Sequence, residues 1–193
     1  MDVTHPKRGE RPASSAPLRA DAVANRAKVV AAARAAFTSE GPDVSLDEIA
    51  RRAGVGAGTV HRHFATKADL IETVLAAAVE DLVATASSYA ESDEPGAALR
   101  AFLMHLVTEG AATHELAARL RVRAGDVDAA VSGPVADLDR AMAVLLSRGH
   151  DAGVVREDVD ERDLAAIVAA AHAAYVHPSG GEHAAALVLR ALD

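Results

Sequence analysis

Apolar residues recur at helical spacing in two short runs between Ser45 and Lys67, SLDEIARRAGVGAGTVHRHFATK. Leu46, Ile49, Ala50 and Ala53 make one stripe, three and four residues apart. Ser45 followed by Glu48 has the S-x-x-E pattern of a capping box, so it starts this helix. Gly54 ends it, as glycine does in the left-handed position after a helix. A second helix starts within Gly56 and Ala57. Its apolar positions, Val60 and Phe64, lie four apart and point to a core, while Thr59, Arg62, His63 and Thr66 fall on the opposite face. A plain helical hairpin also has a cap and a glycine turn. A short helix with two inward anchors and outward hydrogen-bonding groups further suits entry into a DNA major groove.

The same periodicity predicts helices along the rest of the chain. Val29, Val30, Ala33 and Phe37 place a first helix over about 21–40, stopped by Gly41-Pro42. Thr66 with Asp69 caps a long helix reaching about residue 89. Lys67 falls in its first turn, where a cation opposes the helix dipole, so an anionic partner such as a DNA phosphate explains it better than stability does. Ser92-Asp93-Glu94-Pro95 begins a helix to about 109, and Thr113 caps another ending at Gly125. Ser132-Gly133-Pro134 reads as a turn before a helix that reaches Arg148-Gly149. A polar connector over 153–160 precedes two final helices, 160–175 and 182–192, split by Pro178-Ser179-Gly180-Gly181. No alternating strand pattern and no internal repeat occurs in the sequence, so the fold is expected to be all-α. The organisation expected is a disordered arm over 1–17, a helix-turn-helix unit over 18–66 and a helical body over 67–193.

The residues of the helix pair resemble the DNA-binding domain of the tetracycline-repressor (TetR) family. Ser45-Leu46-Asp47-Glu48-Ile49-Ala50, Ala53-Gly54-Val55, Gly58-Thr59-Val60, His63-Phe64 and Lys67 carry the likeness. Ala32-Ala33, Phe37 and Gly41 extend it upstream, and it covers about residues 22–76. It implies an N-terminal three-helix helix-turn-helix domain followed by a C-terminal helical domain for ligand binding and dimerisation. It further implies a transcriptional regulator, a homodimer on palindromic double-stranded DNA, most simply a repressor released by a small-molecule effector; a cytoplasmic location is expected from the polar, proline-rich N-terminus and the lack of a membrane-length apolar run. An activator or a ligand-independent regulator is the alternative. DNA contacts would come from Ser45, Gly58, Thr59, His61, Arg62, His63 and Lys67, with Arg62 the candidate for base readout. Two residues depart from the family: His61 stands where Tyr is usual and Gly56 where Ser often caps the recognition helix. Glycine caps more weakly than serine by a few tenths of a kcal/mol. His61 retains a ring and a donor for a phosphate.

Charge sharpens this picture. The chain of 193 residues has a net charge of −8, which alone argues against nucleic acid. The first 70 residues nevertheless carry 11 of its 20 basic side chains and 8 of its 28 acidic ones, leaving a basic head on a strongly acidic body. The chain has no cysteine, which removes disulfides and thiolate metal sites. The apolar run 164–176 is too short for a bilayer and contains His172, so no membrane partner is expected.

That run, LAAIVAAAHAAYV, is apolar on every side and must be covered on more than one. It is either the central core helix of a monomer or has one side on the core and one on a second subunit; the family resemblance implies a dimer interface made by the last two helices of each subunit, with Ile167, Val168, Ala171, Tyr175, Leu187 and Leu189 as candidates. Phe102, Met104, His105, Arg119, Met142 and Tyr175 are candidates for an effector pocket, although such residues also simply fill a core. His150-Asp151 raises the alternative of an HD-type metal-dependent phosphohydrolase, but His172, His177 and His183 do not share one helix face. No nucleophile motif or glycine-rich phosphate loop is present in the sequence, and no enzyme activity, cofactor or metal is expected.

Overall fold

The computed structural model describes residues 15–108 and 128–192. Among them every regular element is a helix. The helices α1 (Ser15–Glu40), α2 (Leu46–Ala53) and α3 (Ala57–His63) build a head, and α4 (Lys67–Ala90) leads away from it. α5 (95–108), α6 (Asp128–Asp151), α7 (Glu161–Val176) and α8 (Glu182–Leu189), with a closing 3-10 turn Arg190–Leu192, build the body.

α1 begins at Ser15, ahead of the expected start near Asp21, so the last residues assigned to an arm are helical. Pro17 lies in the first turn, where backbone N–H groups have no partner inside the helix and the missing one costs little. Residues 1–14 of that arm lie outside the described residues, as do Arg119 and the helix expected over 113–125.

The head closes on Val29, Ala33 and Phe37 of α1, Ile49 and Ala50 of α2, Val60 of α3, and Phe64. Leu70, Ile71, Val74 and Leu75 of α4 complete this core. A second core in the body gathers Leu99, Phe102 and Leu103 of α5, Leu145 and Leu146 of α6, Leu164 and Ala171 of α7, and Leu189 of α8. Ala86 of α4 reaches into it, so α4 runs from one core to the other. α6 packs along it.

The turn expected at Ser132-Gly133-Pro134 is absent: α6 passes through it as helix. Proline forfeits one backbone bond there, but its fixed φ is itself helical. The steric clash that drives the residue before proline out of the helical region falls partly on its Cβ, and Gly133 has none. Val131 packs against the head core, so tertiary contact favours the helix over local turn preference. The connector between α6 and α7 is less polar in place than in sequence, because Val155 and Val159 are buried in the body core. No helix of the described residues is long and apolar enough to cross a membrane.

Candidate nucleic-acid interface

Ser45 stands in extended conformation before α2, and its hydroxyl accepts from the Glu48 N–H at 3.2 Å. The reciprocal half of the expected capping box is not made. The Glu48 carboxylate instead accepts from Arg51 through Nε at 2.8 Å and Nη2 at 2.6 Å, and from Arg52 Nε at 2.7 Å. Arg52 also donates to Glu40 at the end of α1, through Nη2 at 3.0 Å and through Nη1. Hydrogen bonds from Arg51, then Arg52, hold the Glu48 carboxyl down to about 2. The same contact with Arg52 lowers Glu40. This four-residue network fixes α2 against the end of α1.

The turn between the two helices depends on Gly54, whose φ of 67° is left-handed and disfavoured for a residue with a Cβ. The Gly54 N–H donates to the Arg51 carbonyl at 3.3 Å and the Val55 N–H to the Ala50 carbonyl at 3.1 Å, which closes α2. α3 then starts from Gly56, whose carbonyl accepts from the Thr59 N–H at 2.8 Å and which offers no side-chain cap. Val60 is fully buried, and Phe64, just past the helix, is 1% exposed. These are the two anchors that seat α3.

With its inner side so held, α3 turns Gly58, His61 and Arg62 to solvent, and Thr59 and His63 are half-buried. Nothing approaches within 4 Å of the place a Cβ would take on Gly58. Arg62 Nε donates to the Gly58 carbonyl at 3.0 Å, which lays the guanidinium back along its own helix. The His63 ring lies beside Phe64 with centroids 6.3 Å apart. α4 begins with Lys67 directly after a complete capping box, in which the Asp69 N–H donates to Thr66 Oγ1 at 3.1 Å and the Thr66 N–H to Asp69 Oδ2 at 2.9 Å. The candidates thus fall on one short helix and on the starts of its two neighbours.

One supporting residue was not visible in the sequence. Arg26 of α1 lies over the Phe64 ring at 5.4 Å and donates to Thr73 of α4 at 3.4 Å. It braces the end of α3 from a distant part of the chain, and no local spacing announces it. Arg51 and Arg52, by contrast, stand three and four residues after Glu48, the spacing at which helix side chains meet.

The effector candidates that the structure describes lie in the body. Phe102 is wholly buried in the body core, its ring centroid 6.2 Å from that of Tyr89. Met104, Met142 and Tyr175 pack against the same core, and His105 is half-buried on α5. A cleft of about 870 Å³ lies between α1 and α4, floored by residues such as Val30, Ala31 and Ala76, and none of the pocket candidates lines it.

Two of the interface candidates need correcting. Ala171 and Leu189 are buried within the protomer's own core, because they fall on the sides of α7 and α8 that face the body. Ile167, Val168 and Tyr175 are partly covered by that core, whereas Leu187 is 49% exposed. The open side of α7 is Ala165, Ala166, Ala169, Ala170, Ala173 and Val176. Among the described residues no three His, Asp or Glu side chains gather as a group that could hold a metal ion.

Comparison with known proteins agrees with this geometry. Residues 29–74 match the family described as bacterial regulatory proteins, tetR family, and residues 94–193 match the transcriptional regulator SbtR-like C-terminal domain. A TetR transcription regulatory protein from Mycobacterium vanbaalenii is 41% identical, with a TM-score of 0.72 over 79% of this chain and 92% of that one. The TetR transcriptional regulator SCO0520 from Streptomyces coelicolor is 30% identical, with a TM-score of 0.72 over 86% and 97%. The HTH-type transcriptional regulator TtgW of Pseudomonas putida is 43% identical over 58 residues, 30% of this chain and 43% of that protein. This chain therefore spans less than half of that relative's length. Head and body each match the same group of proteins, and the chain belongs to the TetR family of DNA-binding transcriptional regulators.

Proposed function

We propose that the chain is a homodimeric repressor that grips a palindromic operator in the cytoplasm and leaves it when a small-molecule effector binds the body. The observation that carries the DNA half is the seating of α3: Val60 and Phe64 hold it from within while Gly58, His61 and Arg62 stay exposed. In a two-fold dimer, two such helices enter successive major grooves roughly 34 Å apart. Arg62 swings off the Gly58 carbonyl to take a guanine edge. Thr59 and His63 meet bases or phosphates. Ser45, His61 and Lys67 meet phosphates, which set register without reading sequence.

The exposed apolar side of α7, with Leu187 beside it on α8, supports the dimer, since a contiguous apolar patch on a soluble chain marks an interaction surface. Met104, His105, Met142 and Tyr175, with Phe102 behind them and Arg119 outside the described residues, remain the candidate effector contacts. An effector acts only by its difference in affinity between the DNA-bound and free conformers.

The test is titration of a duplex selected from randomised palindromes, at several salt concentrations. Affinity should fall steeply with salt, because each phosphate contact releases counterions. Binding indifferent to both sequence and salt overturns the reading.

A further inference from the structure

Among the described residues, α4 is the helix whose fully buried side chains enter both cores. Lys67 opens it beside the recognition helix, and it ends at Ala90. The last carbonyls of a helix have no partners within it. Here two carbonyls at that end, Ala90 and Ser92, are taken by a single side chain, Arg148 of α6, through Nη1 and through Nη2 at 2.5 Å. The guanidinium is part-buried and places its planar fork across both acceptors, with its charge at the negative end of the α4 dipole.

The helix end that carries Arg148 is itself fixed. A Cβ on the next residue, Gly149, would stand 2.6 Å from Val155 Cγ2, so α6 and the connector touch without room for a side chain. The connector's Arg156 N–H donates to the Leu192 carbonyl at 3.1 Å, in the turn that continues α8. A contiguous path thus leads from the end of α4 through Arg148, Gly149 and Val155 to the helix pair α7–α8.

We infer that Arg148 is a positioning residue for DNA binding: by holding Ala90 and Ser92 to the frame of α7 and α8, it fixes the angle of α4 and so the separation of the two recognition helices. The inference rests on the dimeric DNA-binding reading above. Its leverage is geometric. A helix of 24 residues is about 36 Å long at 1.5 Å per residue, so a tilt of about 5° at one end moves the other by about 3 Å, close to the 3.4 Å step of DNA.

The experiment compares the full-length protein with Arg148→Met and Arg148→Lys on the selected operator, on versions with one base pair added or removed between half-sites, and on a single half-site. The parent protein should prefer one spacing. In Arg148→Met that preference should shrink by about tenfold, the scale of typical coupling between distant sites, with single half-site affinity unchanged. Arg148→Lys, which keeps the charge but loses the fork, should fall between, and it carries the comparison alone if the methionine variant does not fold. Because the chain has no cysteine, Ser39→Cys supplies a single spin label on each head. The label-to-label distance distribution should be narrow in the parent and broad in Arg148→Met. An unchanged spacing preference overturns the inference. So does equal weakening on every duplex, the single half-site included, which marks a purely structural residue. A monomeric parent, or one without any spacing preference, overturns the dimeric DNA-binding reading and this inference with it.

Discussion

Glu48 receives three hydrogen bonds from two arginines. Its folded pKa, about 2, lies below the ordinary 4.5, so protons bind the unfolded chain more tightly. Its contribution is therefore fully present above about 4.5 and is lost as pH falls toward 2. Thermal unfolding of wild type and Glu48→Gln should converge across that window, and a gap that does not change with pH would mean that the Glu48 charge adds nothing to stability. The neighbouring prediction concerns recognition. Arg62→Ala should relax sequence preference and cost about 1–3 kcal/mol, the range for a bidentate base contact. Lys67→Ala should weaken all duplexes alike, because a phosphate carries no base identity. Retention of the wild-type ranking of operator variants by Arg62→Ala would remove Arg62 as the reader. At this scale the residues legible in the sequence were those governed by local rules. Gly54 follows from turn chemistry, and Val60 and Phe64 follow from helical spacing. Arg26 on Phe64 and Arg52 on Glu40 were not legible, because each partner is brought in by tertiary packing.

Among the described residues, helices were legible as elements where a cap and an apolar stripe agreed. Asp160 and Asp163 form a complete capping box at the start of α7, as Thr66 and Asp69 do for α4. The reading failed at α6, where proline and glycine announce a turn and the packing of Val131 keeps a helix. It also failed to orient α7. A helix apolar on every side gives no phase, and only the folded body shows that Ala171 faces inward while Ala169 and Ala173 face out. This orientation yields a paired prediction. Ala169→Glu with Ala173→Glu should leave a folded monomer with much weakened operator binding, measured by sedimentation. Ala171→Glu should instead destabilise the protomer itself, because it buries an unpaired charge, and urea unfolding will detect it. A dimer that survives the double substitution would place the interface elsewhere.

For the whole molecule, the division of charge seen in the sequence became a division of structure. Among the described residues, the helices before residue 67 build a head with its own core, and those of the more acidic remainder of the chain build a body with another. How the two are joined was not legible, since no pattern tells a long helix which cores it will enter. The covalent link is one unbroken helix, with Val131 of α6 also packed against the head core, so head and body are coupled in rotational phase as well as distance. One residue inserted in α4 between Leu75 and Ala86 would turn the head by about 100° and advance it about 1.5 Å, while seven would nearly restore the phase and advance it about 10 Å. A single insertion should therefore abolish operator binding even where the head still folds, measurable by helix content beside DNA titration. Unchanged binding would show that the heads orient independently of α4. If the protein reads a palindrome as a dimer, the number of residues in one helix is a ruler for the spacing of that DNA.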